Sequence, residues 1–90
     1  MSNTWIPGAP MAAIEDDVRR VFAATLKIPP EAVAPDASPD SVAAWDSMGH
    51  MRLITAVEAE LTVKLTMEQV LAIDSFAALC RIVAQARNGA

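Results

Sequence analysis

The chain has 90 residues, 53% of them hydrophobic and 20% charged, with a formal net charge of −4. That suits one domain with a single modest core, because much of the apolar share is alanine. The seven Lys and Arg residues are scattered, so the basic stripe of a nucleic-acid binder is missing. No apolar run reaches the length of a membrane span, which argues against membrane insertion.

Residues 1–10 carry Pro7, Gly8 and Pro10 without periodicity and are expected to be a loose tail. From Met11, the residues Ile14, Val18, Val21, Phe22 and Leu26 recur at helical spacing. Glu15, Asp16 and Asp17 then fall in the first turns, where the helix dipole favours acids. Pro29–Pro30 is expected to end this first helix. Residues 27–46 form a long connection holding Pro29, Pro30, Pro35 and Pro39, and loops of that length are usually functional. Val33, Val42 and Trp45 supply the apolar bodies that would pin it to the core.

A second helix is expected from Ser47 to Leu61, followed by a TVKL stretch too short for a strand. TMEQ at 66–69 matches a capping box and opens a short third helix through Val70, Leu71 and Ile73. Asp74 or Ser75 can cap a fourth, whose apolar positions are Phe76, Leu79, Ile82, Val83 and Ala86, with Asn88–Gly89 as its stop. The fold class is therefore all-α: a four-helix bundle with a long loop between helices one and two and a short third helix. The domain spans 11–87, with 88–90 as a C-terminal tail. Cys80, the only cysteine, excludes an internal disulfide and Cys-rich metal sites, and reads as a small core residue. With no basic-then-apolar leader, a cytoplasmic and free-standing protein is expected.

The chemistry centres on Asp46–Ser47. Either residue can cap helix two, since both side chains accept orphan backbone N–H groups. If Asp46 caps, Ser47 sits at the first helical position, exposed beside the positive end of the helix, where an attached phosphate would be stabilised. At 100° per residue, Leu53, Ile54, Val57 and Leu61 face the core, Met48, Arg52, Thr55 and Ala59 face solvent, and Met51 lies at the boundary. Gly49 removes bulk beside the serine, which would let another protein approach closely. His50 falls near the core side and reads as a structural residue touching the long loop. Glu58 and Glu60 read as a solvated face.

The stretch WDSMGHMRLITAVEAEL resembles the serine-bearing helix of acyl carrier proteins, whose signature is Asp-Ser-Leu followed by an amphipathic helix. The likeness covers roughly residues 11–87: a first helix, a Pro-containing loop, the Asp-Ser helix, the LTVKL connection and two closing helices. It implies that Ser47 is the site where a phosphopantetheinyl transferase, using coenzyme A and Mg²⁺, attaches a 4′-phosphopantetheine arm through a phosphodiester. The thiol of that arm would carry an acyl or aminoacyl group as a thioester. Loading and acyl-transferring enzymes would be the further partners, and the protein itself would be a monomeric carrier rather than an enzyme. Asp46, Met48, Met51, Arg52 and Thr55 would form the docking surface.

Two features depart from the family pattern. Met48 stands in place of the usual Leu, and Arg52 stands where the family often has an acid, which points to a dedicated pathway. Asp-Ser-Met-Gly also resembles D-alanyl carrier proteins, so an aminoacyl cargo stays open. A reading of a different class is a small helical interaction domain in which Ser47 is only a cap. A hydrolase built on Asp46, Ser47 and His50 is rejected, because consecutive residues on one helix cannot form an ordered triad with an oxyanion hole.

Overall fold

The computed structural model describes residues 9–89, with side chains over 13–87. It contains four α-helices, α1 (Ala9–Leu26), α2 (Ser47–Leu61), α3 (Met67–Ala72) and α4 (Phe76–Gly89), and one 3₁₀ turn at Pro30–Ala32. Among the described residues there is no strand. α1 packs along α2 and against α4.

Helix α1 starts two residues before its apolar periodicity does. Ala9 and Pro10, expected in the tail, are helical, because proline is tolerated in a first turn where its missing N–H costs no hydrogen bond. Glu15, Asp16 and Asp17 consequently lie beyond the first turn, out of reach of the dipole. They pair instead with Arg19 and Arg20 one turn on, at 3.1–3.8 Å. The helix ends before Pro29–Pro30 can act. Lys27 takes a left-handed backbone (φ 59°), and the Ile28 N–H donates back to the Ala23 carbonyl at 3.0 Å. At the other end of the chain, α4 runs through Asn88 and Gly89, the expected stop. Stop signals act at or just after the final turn, so both residues can still belong to the helix. Residues 1–8 and 90 lie outside the described residues.

The long loop is neither free nor wholly irregular. Val33, Ala37 and Trp45 are buried, and Val42 is partly so. Trp45 does the most: it is fully enclosed, with its ring edge-on to Phe22 at 5.1 Å between centroids. Phe22 meets Phe76 in the same way at 5.4 Å, so one aromatic column joins the loop, α1 and α4. Arg19 lies over the ring of Phe76, 5.1 Å from its centroid. The loop backbone also caps α4. Ala37 and Pro35 carbonyls accept from Phe76 N–H and Ala77 N–H at 2.8 and 3.0 Å, while Ser75 Oγ accepts from Ala78 N–H at 3.1 Å.

The short α3 opens with the expected capping box. Thr66 Oγ1 accepts from Gln69 N–H, and Gln69 Oε1 accepts from Thr66 N–H. The helix, expected to run through Ile73, ends one residue earlier at Ala72; Val70 and Ile73 are buried and Leu71 is 76% exposed. So short a helix turns only one side to the core: Val70 lies on it, and Ile73, the extended residue that ends the helix, follows it inward.

Two backbone positions hold α2 in place. Thr62 ends the helix in the left-handed region (φ 55°), and Val63 N–H returns to the Glu58 carbonyl at 3.3 Å. Glu58, expected on a solvated face, also accepts from Leu65 N–H through Oε2 at 2.9 Å, tying down the connection to α3. Glu60 is exposed, as anticipated. At the other end Gly49 is buried, and a Cβ there would fall inside the Ala44 carbonyl oxygen. The glycine therefore serves close helix–loop packing and not the approach of another protein, because it faces inward.

Gly49→Ala should destabilise the fold by about 1–3 kcal/mol, as the loop is pushed off α2; urea unfolding followed by circular dichroism measures it. Thr62→Gly should act in the opposite direction, adding about 1 kcal/mol by relieving a β-branched residue of a left-handed backbone. An unchanged unfolding midpoint in either variant would contradict the corresponding contact.

Candidate functional site

The site is built where the loop becomes α2. Asp46 is the N-cap, with extended backbone, and its Oδ1 accepts from Gly49 N–H at 2.8 Å. Its carbonyl accepts the first helical bond, from His50 N–H at 2.7 Å. Asp46 thus does the whole work of capping, and Ser47 is the first residue inside the helix, exposed at the positive end of its dipole.

The other described serines are engaged locally. Ser38 Oγ accepts from Asp40 N–H, Ser41 Oγ accepts from Ser38 N–H, and Ser75 Oγ caps α4. Among the described residues Ser47 has no side-chain hydrogen bond. Of the described serine hydroxyls, its own is the one without a hydrogen bond.

What fixes the position of Ser47 is the pair on either side of it, Trp45 and His50. The Trp45 indole N–H donates to His50 Nδ1 at 2.8 Å, and the two rings lie 18° from parallel, as a bond in their common plane requires. Indole nitrogen can only donate, so Nδ1 is the unprotonated nitrogen. Nε2 carries the hydrogen and donates to the Val70 carbonyl at 3.0 Å. One imidazole therefore links the loop, the first turn of α2 and the middle of α3. His50 touches the loop as the sequence suggests; its bond to α3 is a further contact. With both nitrogens engaged, His50 has no lone pair left to take a proton from Ser47, which removes general-base chemistry from this site.

A cleft of about 660 Å³ opens beside Ser47. Its walls come from Pro39 and Ala43 of the loop, Ser47 and Met51 of α2, and Val70, Leu71 and Ile73 at α3, and they are mostly apolar. The α3 wall could not be read from sequence: Leu71 is exposed and forms its rim. The residues of the expected docking surface are all exposed. Met48 is 70% and Met51 52% exposed, and Asp46, Arg52 and Thr55 are exposed with them. Met51, expected at the boundary of the core, stands outside it as a ridge.

Among the described residues no group of His, Cys, Asp and Glu is arranged to hold a metal, and no helix is long and apolar enough to cross a membrane. The only described cysteine, Cys80, is buried in α4. Burial pushes its thiol up to about 12, with Glu15 adding to the effect and Arg19 opposing it. It is no nucleophile.

Comparison with known proteins agrees with this geometry. No curated protein sequence matches the chain. Among solved structures, the solution NMR structure of a holo acyl carrier protein from Geobacter metallireducens superposes with a TM-score of 0.76 at 20% identity, over 84% of this chain and 87% of that one. At that identity the likeness establishes the fold. The family model described as the phosphopantetheine attachment site matches residues 16–83, which take in the last part of the α1 face, the loop, α2, α3 and most of α4. The chain belongs to the phosphopantetheine attachment-site family and has the fold of an acyl carrier protein: it is a carrier of covalently attached 4′-phosphopantetheine and not an enzyme.

Proposed function

We propose that Ser47 is the point of attachment, and that the protein shuttles an acyl or aminoacyl group between the enzymes of a biosynthetic pathway. The observation that carries this reading is the division of labour at the start of α2. Asp46 alone caps the helix, and Ser47 is held exposed with its hydroxyl unengaged. A serine kept only as a cap would occupy the position that Asp46 holds.

The surroundings of Ser47 suit the group. A phosphodiester on Oγ would lie at the positive end of α2, and the cleft beside it is large enough for a slender arm, at about 660 Å³. The arm supplies a terminal thiol, which holds the cargo as a thioester. The chain's own residues supply position: Trp45 and His50 fix the turn, and Met51 and Leu71 border the cleft with adaptable apolar side chains. Asp46, Met48, Met51, Arg52 and Thr55 are the face that a phosphopantetheinyl transferase and the loading and acyl-transferring enzymes would meet. A monomer in the cytoplasm fits a chain with a net charge of −4 and one cysteine, which needs no oxidising compartment.

Cys80 has a place in this function. A carrier whose cargo is a thioester is exposed to exchange with any thiolate nearby. With its thiol pushed up to about 12, Cys80 stays protonated at neutral pH and does not compete with the arm.

Incubation with coenzyme A, Mg²⁺ and a broad-specificity phosphopantetheinyl transferase should add one phosphopantetheinyl group to the wild type, read by intact mass. Ser47→Ala should gain nothing while unfolding within about 0.5 kcal/mol of wild type, as expected of an exposed position. Modification of Ser47→Ala, or a large loss of its stability, would refute the assignment. A second check uses thiol titration at pH 8. The unmodified native protein should react about a thousandfold more slowly than an ordinary cysteine, since its thiolate fraction falls tenfold per unit of pKa. The phosphopantetheinylated protein, its arm free of cargo, should show one fast equivalent.

A further inference from the structure

We infer that the outward face of α2 receives a protein surface that is apolar and carries a carboxylate at the contact, with Arg52 as the residue that reads it. The inference rests on Ser47 being the attachment point, because that is what obliges other proteins to approach within a turn of Met51. It concerns the chemistry of those proteins, which the attachment site does not specify.

Arg52 is exposed, and among the described residues it forms no ion pair. The arginines that do pair, Arg19 and Arg20, use carboxylates of their own helix, α1. Around Arg52 the face is uncharged: Met48, Met51, Thr55 and Ala59 are all exposed. The acids nearest to it in sequence are otherwise placed. Asp46 is engaged with Gly49 N–H at the start of the helix, and Glu58 with Leu65 N–H on the side of α3. Glu60 lies at the far end, in a separate small groove with Arg20. The centre of the face is therefore a lone cation in apolar surroundings.

Beside Arg52 runs a second groove, between α1 and α2, of about 500 Å³. It is lined by Thr25, Met51, Arg52, Thr55, Ala56 and Ala59, so its floor consists of small side chains and its wall of a flexible one. Met51 borders both this groove and the cleft at Ser47. An apolar side chain seated in the groove would bring its protein against Met51, with Arg52 free to meet a carboxylate on the same surface. The net charge of −4 adds a constraint. A strongly acidic protein would be repelled at long range, so the carboxylate must be local, within a contact whose affinity comes from apolar burial.

The test uses two helical peptides with the same Leu- and Ala-rich face, one with a central Glu and the other with a central Lys. Each is titrated into the isotope-labelled full chain, before and after phosphopantetheinylation, and followed by amide NMR shifts. The Glu peptide should shift Met51, Arg52, Thr55 and Ala59 and bind about three- to fivefold tighter than the Lys peptide, the range of one exposed ion pair. Arg52→Glu should reverse the preference and Arg52→Gln should abolish it, with circular dichroism confirming that both variants fold. Equal binding of the two peptides, no binding of either, or shifts confined to other helices would overturn the inference. Concentration-dependent shifts of the same face without peptide would overturn it too, by making a second copy of the chain the occupant. Failure of Ser47 to accept the arm would remove the attachment reading and this one with it. A loaded Ser47 with no charge preference would remove only this one.

Discussion

A single hydrogen bond, from the indole of Trp45 to Nδ1 of His50, connects the core of this protein to its working surface. Trp45 is anchored by Phe22, and Phe22 by Phe76, so the position of the loop end is set by the packing of α1 and α4. His50 passes that position to α2 and, through Val70, to α3. Asp46 and Ser47 lie between the two bonded residues. The serine is exposed, yet its backbone is fixed by groups that are buried or half-buried. A serine on a mobile turn would point in many directions; this one points in few.

Gly49 belongs to the same construction. The imidazole can reach back to Trp45 only if the first turn of α2 lies close against the loop, and the Ala44 carbonyl leaves no room for a side chain there. The helix-weakening residue is thus required by the packing that positions its neighbours. Glu58, Thr62 and Val63 do the corresponding job at the far end, where they turn the chain into the connection before α3. α3 has under two turns and cannot be stable on its own. It is held by Val70 and Ile73 in the core, by its capping box and by the bond to His50. The cleft beside Ser47 exists because α3 is held at that distance.

The charge distribution separates two tasks. Acids and bases on α1 neutralise one another within the helix. Of the acids on and beside α2, Asp46 and Glu58 are turned to backbone amides and the exposed Glu60 lies at the far end. What is left at the centre of the outward face is uncharged, with one arginine. The acidic composition of the whole chain is therefore a poor guide to the charge of this face.

Much was legible in the amino-acid sequence. The spacing of Ile14, Val18, Phe22, Leu53, Val57, Leu79 and Val83 marks the core faces of three helices, because a period of 3.6 residues is a local property that no tertiary contact needs to supply. The capping pairs Asp46–Ser47 and Asp74–Ser75 and the cap at Thr66 were equally readable, since a cap acts within three residues of itself, although the choice of Asp46 and of Ser75 within the pairs was not. The pairing of Asp46 with Ser47 at a helix start, and the likeness to acyl carrier proteins that it carries, belong to the same short range. Contacts across the chain were a different matter. That Gly49 meets Ala44, that Leu71 is a rim and not a core residue, that Glu58 holds Leu65, and that Ala37 and Pro35 cap α4 depend on where a loop and a short helix settle. His50 shows the boundary most clearly: its place near the core followed from helical arithmetic, but its two partners lie 5 and 20 residues away. Local geometry therefore determined the helices and the serine, and only the packing of α1, α4 and the loop decided what surrounds it.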